Sequence, residues 1–334
     1  MGVPTMAQAK TFVALDVHVS ATVAAIIDRD SGELRRQRLS GRASEVAQFV
    51  AALAGPVRAT YEAGPTGFAL ARRLQAAGVD CLVCASGLIP RGLSDRVKTD
   101  QRDAERLVRL LIAGELHRVA VPTVEAEGLR DLVRAREDLR GDLMSARHRA
   151  SKLLLRHDVR FDGEQRNWTQ PHLRWLSTVR FDQPGTQAAL DDYRGAIEAL
   201  MIRRSELEAR IAEQLPTSPW AQTAQRLMCL RGIDTLTAAG LCAEVGDFTR
   251  FRHPEQLMSF LGVVPSEHSS GTRRRQGSIT KSGSQHARRL LVEAAWHHRR
   301  DYRNPGAAIR ARCKTWQLCQ ERRCTADRIP MHQR

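Results

Sequence analysis

The 334 residues contain 42% apolar side chains and 52 Lys and Arg against 37 Asp and Glu, a formal charge of +15. That length holds two or three domains with real cores, and the surplus of Arg points to a polyanionic partner such as nucleic acid. No run of about 18 apolar residues is present to span a membrane, and Met1–Lys10 lacks the apolar centre of an export signal, so the chain reads as cytoplasmic.

Residues 1–9 read as a flexible N-terminus. Thr11–Val17 and Ala21–Asp28 are β-branched apolar runs, and Leu34–Leu39 returns after the turn Arg29-Asp30-Ser31-Gly32; together they read as a three-strand meander. Val46–Leu53 has helical spacing. Val57–Tyr61 is a short strand ending in Glu62-Ala63-Gly64-Pro65-Thr66-Gly67, Phe68–Ala77 a helix, Val79–Ala85 a strand and Asp100–Ala113 a helix. A meander followed by alternating helix and strand is an α/β domain with a mixed sheet, placed at residues 10–122. From about Glu125 the pattern changes. Leu132, Leu139, Leu143, Ala146, Ala150 and Leu153 step by three and four save one double step, and Leu190, Tyr193, Ile197, Leu200, Leu207 and Ile211 repeat the pattern with Arg204 breaking it. Heptad stripes of this kind predict a coiled-coil or helical insert over residues 123–215, with two core helices of a bundle as the alternative.

A mostly helical region follows over residues 216–303. Cys229–Ala243 places Gly232 in a turn between two apolar helices, similar to a helix-hairpin-helix whose backbone N–H groups face a phosphate, with a plain structural hairpin as the alternative. Gly262–Gly271 leads into Arg273-Arg274-Arg275, and Gly277–Ser284 precedes a helix from Gln285 to His298. Residues 304–334 form a basic tail with no clear apolar period. The seven cysteines are odd in number and irregularly spaced, which speaks against a disulfide framework. Cys81 and Cys84 are three apart on a strand and so face opposite ways, as buried thiols would. Cys313, Cys319, Cys324 and His332 match no common zinc-finger spacing.

The carboxylates carry the chemistry. Asp16 ends an apolar strand, where a charge is costly unless paired or bound to metal. Glu62 ends a second strand, and Asp100 and Asp103 share one face at the start of a helix. Converging, the four would hold divalent cations through oxygen ligands. Taken singly, Asp100 is equally an N-cap, Asp16 an ion-pair partner and Glu62 a surface residue.

Three segments, Ala14-Leu15-Asp16-Val17-His18, Tyr61–Gly67 and Lys98-Thr99-Asp100-Gln101-Arg102-Asp103-Ala104, resemble the acidic motifs of the DEDD transposases of the IS110 family of bacterial insertion sequences. Cys229–Gly271 and Gly277-Ser278-Ile279-Thr280-Lys281 resemble that family's second region. The resemblance runs over residues 10–300. It implies an RNase H-like, RuvC-like nuclease domain and a C-terminal domain bearing a serine nucleophile. Asp16, Glu62, Asp100 and Asp103 would be the catalytic and metal-binding tetrad for Mg²⁺ or Mn²⁺. Ser270 before Gly271 would be the nucleophile, with Ser269 as its rival. Gly232, Arg273, Arg274, Arg275 and Lys281 are the expected nucleic-acid contacts. The resemblance also implies DNA as substrate, an element-encoded guide RNA, a homo-oligomer (dimer or tetramer) and a place beside the bacterial nucleoid. Cys313–Arg334 departs from the longer helical segment of relatives and reads as a degenerate end. Two other functions fit the same residues: a Holliday-junction-type nuclease that needs the carboxylates but not Ser270, and a non-enzymatic nucleic-acid scaffold.

Overall fold

The computed structural model describes residues 9–89, 100–164, 166–267 and 275–299, without the side chains of residues 100 and 101. The chain divides into two compact units between Pro122 and Thr123.

The N-terminal unit is built on a five-stranded sheet. Strands β1 (Thr11–Val17), β2 (Ala21–Asp28) and β3 (Leu34–Ser40) form the expected meander. Asp28 closes the β2–β3 hairpin by accepting the Ser31 and Asp30 N–H groups. After helix α1 (Ala43–Ala51), β4 (Val57–Glu62) crosses over to lie parallel to β1. Helix α2 (Ala69–Ala76) returns the chain to β5 (Asp80–Cys84), parallel to β4. The sheet order is β3-β2-β1-β4-β5, the mixed sheet that the element order predicts.

Alternation along the strands creates two apolar faces. Val13, Leu15, Ala59, Tyr61, Cys81 and Val83 pack with α1 and α2. Phe12, Ala14, Leu82 and Cys84 pack with Ala104, Leu107, Val108 and Leu111 of α3 (Asp100–Ala113). Cys81 and Cys84 are thus free, buried thiols on opposite faces. Burial pushes the Cys81 thiol up to about 12 and the Cys84 thiol up to about 11.

The C-terminal unit begins with a long helical hairpin. Helix α4 (Val124–Arg156) starts where the Thr123 side chain accepts the Ala126 N–H. Helix α5 (Gln170–Thr178) follows at the tip, and α6 (Pro184–Gln214) runs back. Arg136 meets Glu208 near one end and Leu154 clusters with Leu190 near the other, so α4 and α6 are antiparallel. The buried stripe on α4 is Leu129, Val133, Leu139, Leu143, Ala146, Ala150 and Leu153. From Leu139 to Leu153 it keeps the expected steps of three and four, but before that it runs through Leu129 and Val133, and Leu132 is only partly buried against the core.

Helices α7 (Ala221–Met228), α8 (Thr235–Val245), α9 (Pro254–Leu261) and α10 (Gln285–Trp296) complete the unit. Ala126, Leu129 and Val133 of α4 and Ile211 of α6 share one core with Ala238, Leu241, Leu261, Leu290 and Ala294. The helical hairpin and the region after it therefore form one packed body rather than two. A two-stranded ribbon, β6 (Pro265–Glu267) and β7 (Gln276–Ile279), stands between α9 and α10. Among the described residues no helix is long and apolar enough to cross a membrane.

Candidate active site

Strand register places the first two carboxylates. Leu15 pairs with Tyr61 across the parallel β1–β4 ladder, so Asp16 and Glu62 follow at the same level. Leu15 and Tyr61 point into the α1–α2 face. Their successors therefore point to the other side, the face covered by α3. Asp16 is partly buried, and its Oδ2 lies 3.2 Å from His18 Nε2. Glu62 is exposed at the strand end.

Helix α3 carries the other two. Asp100 is its first residue, four and seven positions before the buried Ala104 and Leu107. Its side chain is outside the described residues. Asp103 is partly buried, with Arg106 Nη2 at 3.5 Å from its Oδ1. Among the described residues no three His, Cys, Asp or Glu side chains are gathered closely enough to hold a metal ion. The donor set is nonetheless all oxygen, which is the chemistry Mg²⁺ and Mn²⁺ require. His18 is a neighbour of Asp16 that the motif did not single out. Its signal was available, because residues two apart on a strand share a side.

In the second unit, Ser270, Ser269, Arg273 and Arg274 lie outside the described residues. Arg275 is exposed next to β7, and Lys281 is exposed with a left-handed backbone, φ 55°. The root of the ribbon is tightly held. Lys281 N–H donates to the Gly262 carbonyl at 3.0 Å and Thr280 N–H to that of Val264 at 2.9 Å. Arg288 Nη1 reaches the carbonyls of Leu261 at 2.9 Å, of Gly283 at 3.2 Å and of Ser282. Gly232 has φ +86°, and a Cβ there would lie 2.6 Å from the Ala294 carbonyl oxygen. Close approach to α10 thus explains this glycine. The α8 N-terminus beside it holds its own carboxylate, since Asp234 accepts the Thr237 N–H at 2.8 Å.

Comparison with known proteins places the chain. A DEDD model for IS110, described as transposase, matches residues 13–157. Another, described as transposase IS116/IS110/IS902 family, matches residues 224–308. The transposase for insertion sequence element IS1533 of Leptospira borgpetersenii is 32% identical over 299 residues, covering 87% of this chain and 86% of that one. The chain belongs to the IS110 family of transposases. It is also 43% identical over 239 residues to y4qE of Sinorhizobium fredii, provisionally named a transposase. That match covers 72% of this chain and 58% of the length of y4qE. The first IS110-family match runs through Asp16, Glu62, Asp100 and Asp103. The second contains Ser270, the three consecutive arginines and Lys281.

This IS110-family chain also contains a polar network that its sequence does not announce. Glu137 of α4 accepts from Arg140 Nε at 2.8 Å and from Arg289 Nη2 at 2.6 Å. His286 stands between Glu137, at 3.6 Å, and Glu244, at 3.8 Å. Glu244 also accepts the Ser284 hydroxyl at 2.9 Å and faces Arg134 Nε at 3.4 Å. The His286 ring first, then Ser284 and Arg134, hold the Glu244 carboxyl down at about 2 against the cost of burial. A cleft of about 280 Å³ adjoins the network, lined by Arg136, Arg140, Asp234, Thr237, Arg289 and Glu293. Each of its arginines already faces a carboxylate, Arg136 on Glu208, Arg140 on Glu137, and Arg289 on Glu137 and Glu293. The network joins α4, α8 and α10.

Proposed function

We propose that this chain is the transposase of an insertion sequence, cutting and rejoining DNA with a carboxylate-held divalent cation and a serine nucleophile. The observation that carries the reading is the register of β1 and β4. It sets Asp16 and Glu62 side by side, at the carboxyl ends of neighbouring parallel strands, on the face that α3 covers with Asp103. Asp16, Glu62, Asp100 and Asp103 would hold Mg²⁺ or Mn²⁺, which when bound supplies positive charge to the oxygens of a reacting phosphodiester.

The remaining work falls to the chain's own residues. Ser270 Oγ loses its proton and bonds to phosphorus. The bond from phosphorus to one sugar oxygen breaks, and that oxygen takes up a proton. The phosphoserine keeps the energy of the broken linkage, so attack by a sugar hydroxyl of another strand rejoins DNA and frees the serine. Arg273, Arg274 and Arg275 neutralise phosphates near the serine, and Lys281 adds charge at the ribbon root. Site choice is assigned to an element-encoded RNA, because phosphate contacts carry no sequence information. A dimer or tetramer would bring two DNA sites together.

The test is incubation of the full chain with element-end DNA and Mn²⁺ or Mg²⁺, followed by boiling in detergent. A protein–DNA adduct is expected, lost in Ser270→Ala with DNA binding kept. An adduct that survives Ser270→Ala but disappears in Ser269→Ala moves the nucleophile by one residue. Cleavage without any adduct overturns the serine mechanism in favour of a hydrolytic nuclease.

A further inference from the structure

The tip of the α4–α6 hairpin contains polar groups that the fold leaves without partners. His172 of α5 is only 3% exposed. Three rings surround it: Phe161 at 5.1 Å between centroids, Trp168 at 4.9 Å and Trp175 at 5.2 Å. Its Nδ1 is buried without a hydrogen-bond partner. Arg147 of α4 lies over Trp168, with Cζ 5.2 Å from the ring centroid. Its Nε is likewise buried and unpartnered. Its Nη2 lies 3.9 Å from the Met201 sulfur. Among the described residues no carboxylate lies within ion-pair distance of Arg147, unlike Arg136 and Arg140 on the same helix. Trp168 itself adopts φ +68°, a left-handed conformation that a bulky residue rarely takes.

These features need a common reason. An apolar cap for the hairpin would not require a guanidinium, an imidazole and a strained tryptophan. Buried donors without acceptors are rare in folded proteins, and a half-buried cation without a counter-charge is costly. A guanidinium stacked on an indole, with unused donors, is how proteins grip a phosphate beside a stacked base. The surroundings agree, since Arg149, Lys152, Arg156, Arg166 and Arg174 are all exposed on the same segment.

We propose that the hairpin tip binds one unpaired nucleotide of a single nucleic-acid strand, with Arg147 on its phosphate and the Trp168–Trp175 edge of the aromatic cluster beneath its base. Arg147 is held by stacking and one weak sulfur contact, so it can turn to a phosphate without breaking an ion pair. His172 Nδ1 supplies a further donor or acceptor at the same place. This site rests on the reading of the chain as a nucleic-acid enzyme and adds a place, far along the chain from Asp16 and Ser270, where a strand is held. The same chemistry serves an RNA or a displaced DNA strand.

The test uses the full chain and short single-stranded oligonucleotides, RNA in one arm and DNA in the other, each carrying 5-iodouracil. Binding should quench tryptophan fluorescence, and cross-links should map to Trp168 or Trp175. The arm with the tighter binding identifies the natural strand. Arg147→Lys keeps the charge but loses Nε and the planar stack, and it should weaken single-strand binding about tenfold. His172→Phe keeps the ring packing and should weaken it severalfold. Arg149→Gln removes an exposed charge nearby and should cost about twofold or less. Duplex binding should be the same in all four proteins. If Arg147→Lys binds single strands as the parent does, or the cross-links map elsewhere, the site is overturned and the unpartnered donors serve a buried water. If the parent protein binds neither single strands nor duplex, the nucleic-acid reading falls as well.

Discussion

Asp16 and Glu62 owe their placement to strand parity, each one position after a residue buried against α1 and α2. Asp16→Asn keeps the shape and the strand while removing the charge. It should lower cleavage by about 10²-fold or more with an unchanged melting curve, and near-parental cleavage would remove Asp16 from the site. Gly283 illustrates the opposite case, a residue chosen for its missing side chain. Its φ is +72°, and a Cβ would lie 2.0 Å from the Phe260 carbonyl oxygen. Gly283→Ala should therefore cost at least about 1–3 kcal/mol and lower Tm by several degrees. An unchanged Tm would show that the ribbon root gives way freely. The sequence made the carboxylates legible because period-two alternation and helix spacing are local rules. It did not make Gly232 legible in the same way. Its neighbours in sequence suggest a phosphate-facing turn, whereas the packing of Ala294, 62 positions away, is what demands a glycine.

Helices and strands were readable in proportion to their length. The 33-residue α4 and the strands β1, β2 and β5 announce themselves through apolar period. The ribbon strands Pro265–Glu267 and Gln276–Ile279 are three and four residues long with no alternation, and α5 is hidden in a polar, Trp-containing stretch. The polar joint of α4, α8 and α10 was also invisible, because Arg134 and Glu244 are 110 positions apart and Arg289 and Glu137 are 152 apart. This joint should set the acid limit of the C-terminal unit. Glu244 is held at about 2 when folded against an ordinary value of 4.5. A depressed carboxylate stabilises the fold fully above its unfolded pKa, and that stability is lost as pH falls from about 4.5 towards 2. The contribution is on the order of 1–3 kcal/mol. Urea unfolding at pH 6, 4 and 2.5 should show a steeper acid loss for the parent than for Glu244→Gln, which is less stable at pH 6. Parallel losses would mean that Glu244 is not the titrating group.

The surplus charge belongs to the chain as a whole, and composition alone exposed it. With +15 spread over 334 residues, DNA affinity should fall steeply with salt, with a log–log slope near −0.9 per neutralised phosphate. Replacing Arg273, Arg274 and Arg275 by Gln should flatten that slope by about two to three and weaken all sequences alike. A loss confined to one sequence would make this loop a reader of bases instead. Composition could not show how the chain partitions into cores, which is a matter of which residues meet.

That partition has a consequence for the order of synthesis. The sheet and α3 are complete once residue 113 has emerged, so the first unit can close early. The core of the second unit joins Ala126 to Ala294 and must wait for almost all of the intervening chain. At about 5–20 residues per second, Ala126, Leu129 and Val133 at the start of α4 wait roughly 10–35 s for α10, while Leu143, Ala146 and Ala150 can already pack on α6. During that interval the nascent polypeptide presents a finished carboxylate-bearing unit joined to a helical hairpin whose root lacks its α10 cover. Ribosomes that stall before α10 would release a protein that retains the acidic residues but has no closed second core.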